Sequence, residues 1–254
     1  MNTVFKDFDN AKEAFFNPRD CQKRVDGFPE ICVSTFSESV IEKFAEMEGV
    51  EVIASLYSAN GIIPVYKIKY CGKEIAFFLS RVGAPACVCG LEEIIAMGAQ
   101  KIILFGSCGI LDKEAADGRI IVPVAAVRDE GTSYHYLPSS EEVKVGEAMI
   151  DKICGCLKKC GYPYVKGKVW TTDGIYRETR KAIDDRKAQG CIAVEMEFAA
   201  AAAVTEFRSI PFVQFLYGED NLDSAEWEPR GLFCPDLSRT EKYMVLAFEC
   251  GLAI

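Results

Sequence analysis

The chain has 254 residues, half of them hydrophobic, with 29 basic side chains against 38 acidic ones. A formal charge of −9 repels phosphate backbones and anionic lipid, which argues against nucleic acid or a membrane surface as partner and leaves a small ligand as the default. The length suits one α/β domain over 1–254, since no Pro/Gly/Ser-rich linker, charge block or repeat interrupts it.

The opening "MNTVFKDFDNAKEAFF" is amphipathic, carries charges throughout and has no signal-type apolar core; no later run reaches the ~20 apolar residues of a membrane span. Both features predict a cytoplasmic protein. "EICVSTF" (30–36) and "VEVIASLYS" (50–58) read as strands. "IIPVYKIKYCGKEIAFFLSRVG" reads as a hairpin turning at Cys71-Gly72-Lys73. Residues 84–99 have helical periodicity with a glycine stop near Gly98, and "KIILFGSCG" is a strand running into a glycine turn. There follow a strand in "GRIIVPVAAVRDEG", a helix over 141–158, a strand in "VKGKVWTTDG" and a helix over 177–189. "CIAVEME" is a strand, "FAAAAAVTEF" a close-packing helix, "IPFVQFLYG" a strand, and 236–252 a closing helix. The alternation predicts an α/β fold with a mixed, mainly parallel central sheet flanked by helices on both faces.

Cysteine number suggests disulfides, but cysteine placement does not. Cys32, Cys87, Cys89, Cys154, Cys156 and Cys191 sit in apolar runs, where cysteine behaves as a small hydrophobe. "CVC" and "CGC" lack zinc-ligand spacing and His135 is the lone histidine, so no metal site is expected.

Ligands of such sheets gather at the carboxyl ends of strands. Three ends stand out: Gly106-Ser107, Val194-Glu195-Met196-Glu197, and Gly218-Glu219-Asp220. Carboxylates are rare where a buried strand meets a buried helix, unless something pairs with them. The alternative reading is structural: the glutamates cap the helix that follows, and Asp220 caps an Asp-Asn turn.

"RVGAPACVCGLEEIIAMGAQKIILFGSCGIL", "GRIIVPVAAVRDEGTSYHYLP", "TTDGIY" and "VEMEFAAAAAV" resemble the nucleoside phosphorylase/uridine phosphorylase family, over most of the chain from about residue 30. The resemblance implies cleavage of the bond between ribose and base by phosphorolysis. It also implies a place in purine salvage, no cofactor beyond phosphate as co-substrate, and a homo-oligomer, dimer to hexamer, whose subunits share sites. Glu197 matches the glutamate that binds ribose hydroxyls, and Met196 the methionine on the sugar face. Glu195 either lines the site or caps a backbone amide. Asp220 matches the aspartate that protonates N7 in purine-cleaving members, with Glu219 beside it as a source of repulsion. Thr172, Ile175, Tyr176 and Val194 would line the base pocket, with Tyr176 or Tyr134 as an aromatic face. The stretch "IYRETRK" does not align with the glutamine and arginine of uridine-cleaving members, which tilts the reading toward purines.

The phosphate side departs from the pattern. "VSTFSES" (33–39) and Leu104 stand where phosphorylases of the family carry arginines, leaving Ser107, Gly106 and the glycine turn as an anion seat. Arg81, or Arg19 or Arg24 from a partner subunit, would have to supply the cation. Hydrolytic nucleosidases lack phosphate ligands and activate water with a first-loop glutamate, a role open to Glu38. A third reading is a nucleoside-binding or storage protein that has lost catalysis. His135, in the block "RDEGTSYHY", is expected to be structural.

Overall fold

The computed structural model describes residues 7–233 and 236–254; the first six residues of the amphipathic opening lie outside that range. A short α1 (Pro18–Cys21) precedes β1 (Ile31–Thr35), and α2 (Glu38–Ala45) leads on to β2 (Glu51–Ser58). β3 (Gly61–Tyr70) and β4 (Lys73–Leu79) form the expected hairpin. Its turn puts Cys71 at φ 47° and Gly72 at φ 79°, the doubly left-handed geometry that matches strand twist in a two-residue hairpin. Next come α3 (Ala84–Met97), β5 (Lys101–Ile110), α4 (Lys113–Ala116) and β6 (Ile120–Asp129). The second half holds β7 (Glu142–Lys144), α5 (Glu147–Lys159), β8 (Tyr164–Thr172), α6 (Arg180–Ala188), β9 (Cys191–Glu195), α7 (Phe198–Arg208), β10 (Phe212–Asn221) and α8 (Leu237–Ala253).

Two expected helices start later than their sequence pattern suggests. Of 141–158, the first residues form β7, where Val143 is buried and pairs with Ala126; Gly146 then opens α5. Of 177–189, the start is a tight 3-10 turn at Ile175–Arg177, and α6 begins only after Thr179, whose hydroxyl accepts from the Ala182 amide.

The ten strands form one sheet, expected as mainly parallel but evenly mixed: among the described residues five pairings run parallel and five antiparallel. β5, β9, β8, β6 and β10 close on one another in a barrel-like ring, from which β1, β4, β3 and β2 extend as an arm. Two short antiparallel contacts close the ring. Gly109 and Ile110 pair with Val194 and Ala193, and Leu216 and Tyr217 pair with Ile121 and Ile120.

Side-chain alternation along β5 sets the two layers. Ile102 and Leu104 face α3 and α7, packing with Leu91, Ile94 and Phe198. Ile103 and Phe105 face α2, α5 and α8, packing with Phe44, Ile153 and Phe248. All five alanines of α7 are buried, which lets that helix lie close against the sheet. All described cysteines are free thiols, and Cys89, expected in the core, is exposed. No described helix is long and apolar enough to cross a membrane.

Candidate active site

The junction of β9 with α7 explains two carboxylates in a buried place. Glu195 Oε2 accepts from the Glu197 amide (2.7 Å) and the Phe198 amide (2.6 Å), two donors that the first turn of α7 leaves without helical partners. Thr171, from β8, donates to the other Glu195 oxygen and accepts from the Ala199 amide at 3.0 Å. Glu195 is therefore the cap that fixes where α7 begins. Glu197 follows as the N-cap residue, and its Oε1 accepts from the Gly83 amide at 2.6 Å. Gly83 sits at φ 92°, a conformation glycine adopts at little cost, and this turns its N–H toward Glu197 at the start of α3. Burial drives both carboxyls above the ordinary carboxylate range. The charge of Glu195 raises Glu197 further, against the lowering effect of the Gly83 amide.

Asp220 is aimed by a bulge. Gly218 pairs with Cys108 and Asp220 with Gly109, so Glu219 is the extra residue on β10. Glu219 is buried and forms an ion pair with Arg239 of α8. Asp220 Oδ2 instead accepts from the indole Nε1 of Trp227 at 2.7 Å. Gly109 leaves the room: a Cβ there would stand 2.5 Å from Leu222 Cδ1, 2.9 Å from Val194 Cγ1 and 3.4 Å from Asp220 Oδ1.

These strand ends meet in a cleft of two chambers. The smaller, about 190 Å³, is lined by Ser107, Gly109, Val194, Glu195, Met196 and Glu197, with Phe36 and Val82 at its sides. The larger, about 460 Å³, is mostly apolar and holds Tyr176, Ile183, Leu222, Trp227 and Phe233. Ile175, Glu178, Asp220 and Leu232 line both. Glu178, absent from the sequence expectations, makes no hydrogen bond or ion pair among the described residues. Burial, aided by the charge of Asp220, pushes it up to about 7. The arrangement is a polar chamber with carboxyls and a methionine, joined through an acid pair to an aromatic recess. It suits a sugar bonded to a flat heterocycle.

A family model described as "Phosphorylase superfamily" matches residues 30–242. The chain belongs to this superfamily. A guanosine phosphorylase of Halorubrum lacusprofundi is 22% identical over 157 residues, covering 62% of this chain and 65% of the relative. The match thus spans less than two thirds of that protein's length. Among solved structures, uridine phosphorylase from Vibrio fischeri superposes with a TM-score of 0.74 at 22% identity, covering 90% of this chain and 93% of the other. AMP nucleosidase from Bacteroides thetaiotaomicron gives 0.69 at 22% identity, with 88% of each chain covered. At such identities the superpositions establish the fold.

Within this phosphorylase fold, the cleft gathers Asp220, Glu197, Met196, Glu195, Val194, Ile175, Tyr176 and Ser107 from the sequence candidates. The others lie apart. Thr172 is buried and accepts from the Gly174 amide, shaping the turn beneath Ile175. Gly106 backs onto Phe36, where a Cβ would come within 2.7 Å of Cδ2. Arg81 does not line the cleft, and its Nη2 is buried without a hydrogen-bond partner. Glu38 is the exposed first residue of α2, outside both chambers. Tyr134 packs on the Arg128 guanidinium at 4.0 Å and its hydroxyl donates to the Arg128 carbonyl. His135 borders a separate groove of about 750 Å³ beside α3, which none of the cleft acids lines. Among the described residues, no Lys or Arg lines the smaller chamber.

Sequence reasoning missed Glu178, Trp227 and Phe233. All three lie on irregular segments, where periodicity carries no signal. The signal available was the aromatic and acidic content of "YRET" and "EWEPRGLF" flanking two strand ends.

Proposed function

We propose that the protein cleaves the N-glycosidic bond of purine nucleosides by phosphorolysis, releasing free base and ribose 1-phosphate. The observation that carries this reading is the convergence of Glu197 and Asp220, from different strand ends, on one cleft. In it the ribose lies on Met196 with its hydroxyls on Glu197, and the purine occupies the recess beside Trp227 and Ile175. As the bond breaks, the sugar gains oxocarbenium character, and Glu197, in its ionised form, opposes that charge from the wall of the smaller chamber. β5 runs on through Ile110 in place of the expected glycine turn, so the seat for phosphate is read at Ser107, exposed on that strand at the smaller chamber, with no metal or organic cofactor required. The names of relatives, guanosine phosphorylase among them, favour phosphorolysis. The protein is read as cytoplasmic, and as a homo-oligomer whose partner subunit supplies the cation the seat lacks.

A second reading, hydrolysis, is favoured by the absence of Lys and Arg from the described lining of the smaller chamber, because a phosphate dianion draws much of its affinity from charge-assisted bonds. Base release from inosine, guanosine, adenosine and uridine, followed with and without phosphate, decides between them. Release from the purine nucleosides that requires phosphate supports the proposal. Equal release without phosphate establishes the hydrolase. Binding without turnover identifies a nucleoside-binding protein.

A further inference from the structure

We infer that Glu178 is the residue that hands the proton to the departing purine, while Asp220 beside it stays an acceptor. The inference rests on the nucleoside-cleaving reading above and assigns a role within it.

Position comes first. Glu178 stands between the 3-10 turn and α6, on a different element from Asp220, and the two are the only ionisable residues among those described that line both chambers. A proton donor to a nucleobase must sit where sugar and base meet, which is this seam. Hydrogen bonding then separates the pair. Asp220 Oδ2 is committed to the Trp227 indole, a group that only donates. Glu178 has neither a donor nor a cation on its carboxyl among the described residues. The guanidinium of Arg180, which lines the recess, is spent on the carbonyls of Leu222, Ser224 and Ala225. Electrostatics agree with the geometry, since burial and the negative Asp220 hold Glu178 near half-protonated at neutral pH. The other titratable groups lining the cleft are Tyr176 on the same turn, Arg180 on α6, and Cys108, Glu195 and Glu197 in the smaller chamber.

The step balances. The C1′–N9 bond breaks and both electrons stay with the purine. The Glu178 proton goes to N7, and C1′ forms a bond to a phosphate oxygen. The hydrogen phosphate gives up its own proton, and Glu178 is reprotonated from solvent for the next turnover. A carboxylic acid acts in this way only while it holds its proton, so activity on neutral purine nucleosides falls as pH rises through the Glu178 titration.

The test compares Glu178→Gln with wild type on inosine and on 7-methylinosine, whose N7 is already cationic and needs no proton. The expected result is a loss of about 10²–10⁴-fold in kcat on inosine, the span of a general acid, with 7-methylinosine cleaved at close to the wild-type rate. The basic limb of the inosine pH profile should vanish in Glu178→Gln. In Asp220→Asn the limb should remain but move to lower pH, because the neighbouring charge is gone. Equal losses on both substrates, or an unchanged limb in Glu178→Gln, would overturn the assignment while leaving the nucleoside-cleaving reading intact. A wild-type protein that cleaves neither substrate would overturn both.

Discussion

At the residue scale, the cleft is built from side chains whose chemistry is set by what they lack as much as by what they touch. Glu178 is the clearest case. Its carboxyl titrates near 7 in the folded protein against an ordinary 4.5, so the folded state holds the proton more tightly than the unfolded one. Its contribution to stability is therefore full below about pH 4.5 and is lost as pH rises through 7. Glu178→Gln, which cannot ionise, should match wild type in Tm near pH 4.5 and exceed it at pH 8, with the gap opening between; thermal melts across that range check this. Gly106 supplies a steric test. With a Cβ only 2.7 Å from Phe36 Cδ2, Gly106→Ala must displace that ring at the wall of the smaller chamber. A rise in KM for nucleoside, with the Tm reduced by a few degrees, is the expected outcome.

At the element scale, the β9–α7 junction does the positioning. Thr171 serves Glu195 and the Ala199 amide together, so Thr171→Val keeps the shape and leaves buried polar groups unmatched. The expected cost is about 1–3 kcal/mol in urea unfolding, with kcat falling because Glu197 loses its fixed start point. Much of this junction was legible in sequence. An apolar run ending in "VEME" before five alanines announces a strand end, acids and a tightly packed helix. Whether Glu195 lines the site or caps a backbone amide was not legible, because that depends on Thr171, a residue of another strand. Glu178 was hidden for a related reason: the 3-10 turn at Ile175–Arg177 has no periodic pattern, and its facing partner Asp220 is 42 positions away along the chain. The expected helix at 141–158 erred where Val143 found a pairing partner in β6, a tertiary contact that local preference does not record.

At the scale of the whole molecule, ring closure is what brings the three strand ends together. β5 pairs with β1, β9 and β10, so the ends carrying Ser107, Glu197 and Asp220 share one rim. Alternating elements announced an α/β sheet, but the two-residue contacts that close the ring leave no pattern in the sequence. The two tryptophans report separately on this organisation. Trp170, on β8, is 2% exposed and packs against Ile183 and Arg186 of α6, and Trp227 is 51% exposed at the cleft. A purine nucleoside should quench the Trp227 emission and leave that of Trp170, a separation that Trp227→Phe makes visible by abolishing the ligand response.

The most direct measurement is a crystal structure with a purine ribonucleoside and phosphate bound. The account predicts ribose hydroxyls on Glu197, the sugar face on Met196, and the purine between Ile175 and Trp227 with N7 within hydrogen-bonding distance of Glu178. A nucleoside seated in the groove beside His135, or in the cleft with its base turned toward Ser107, would contradict it.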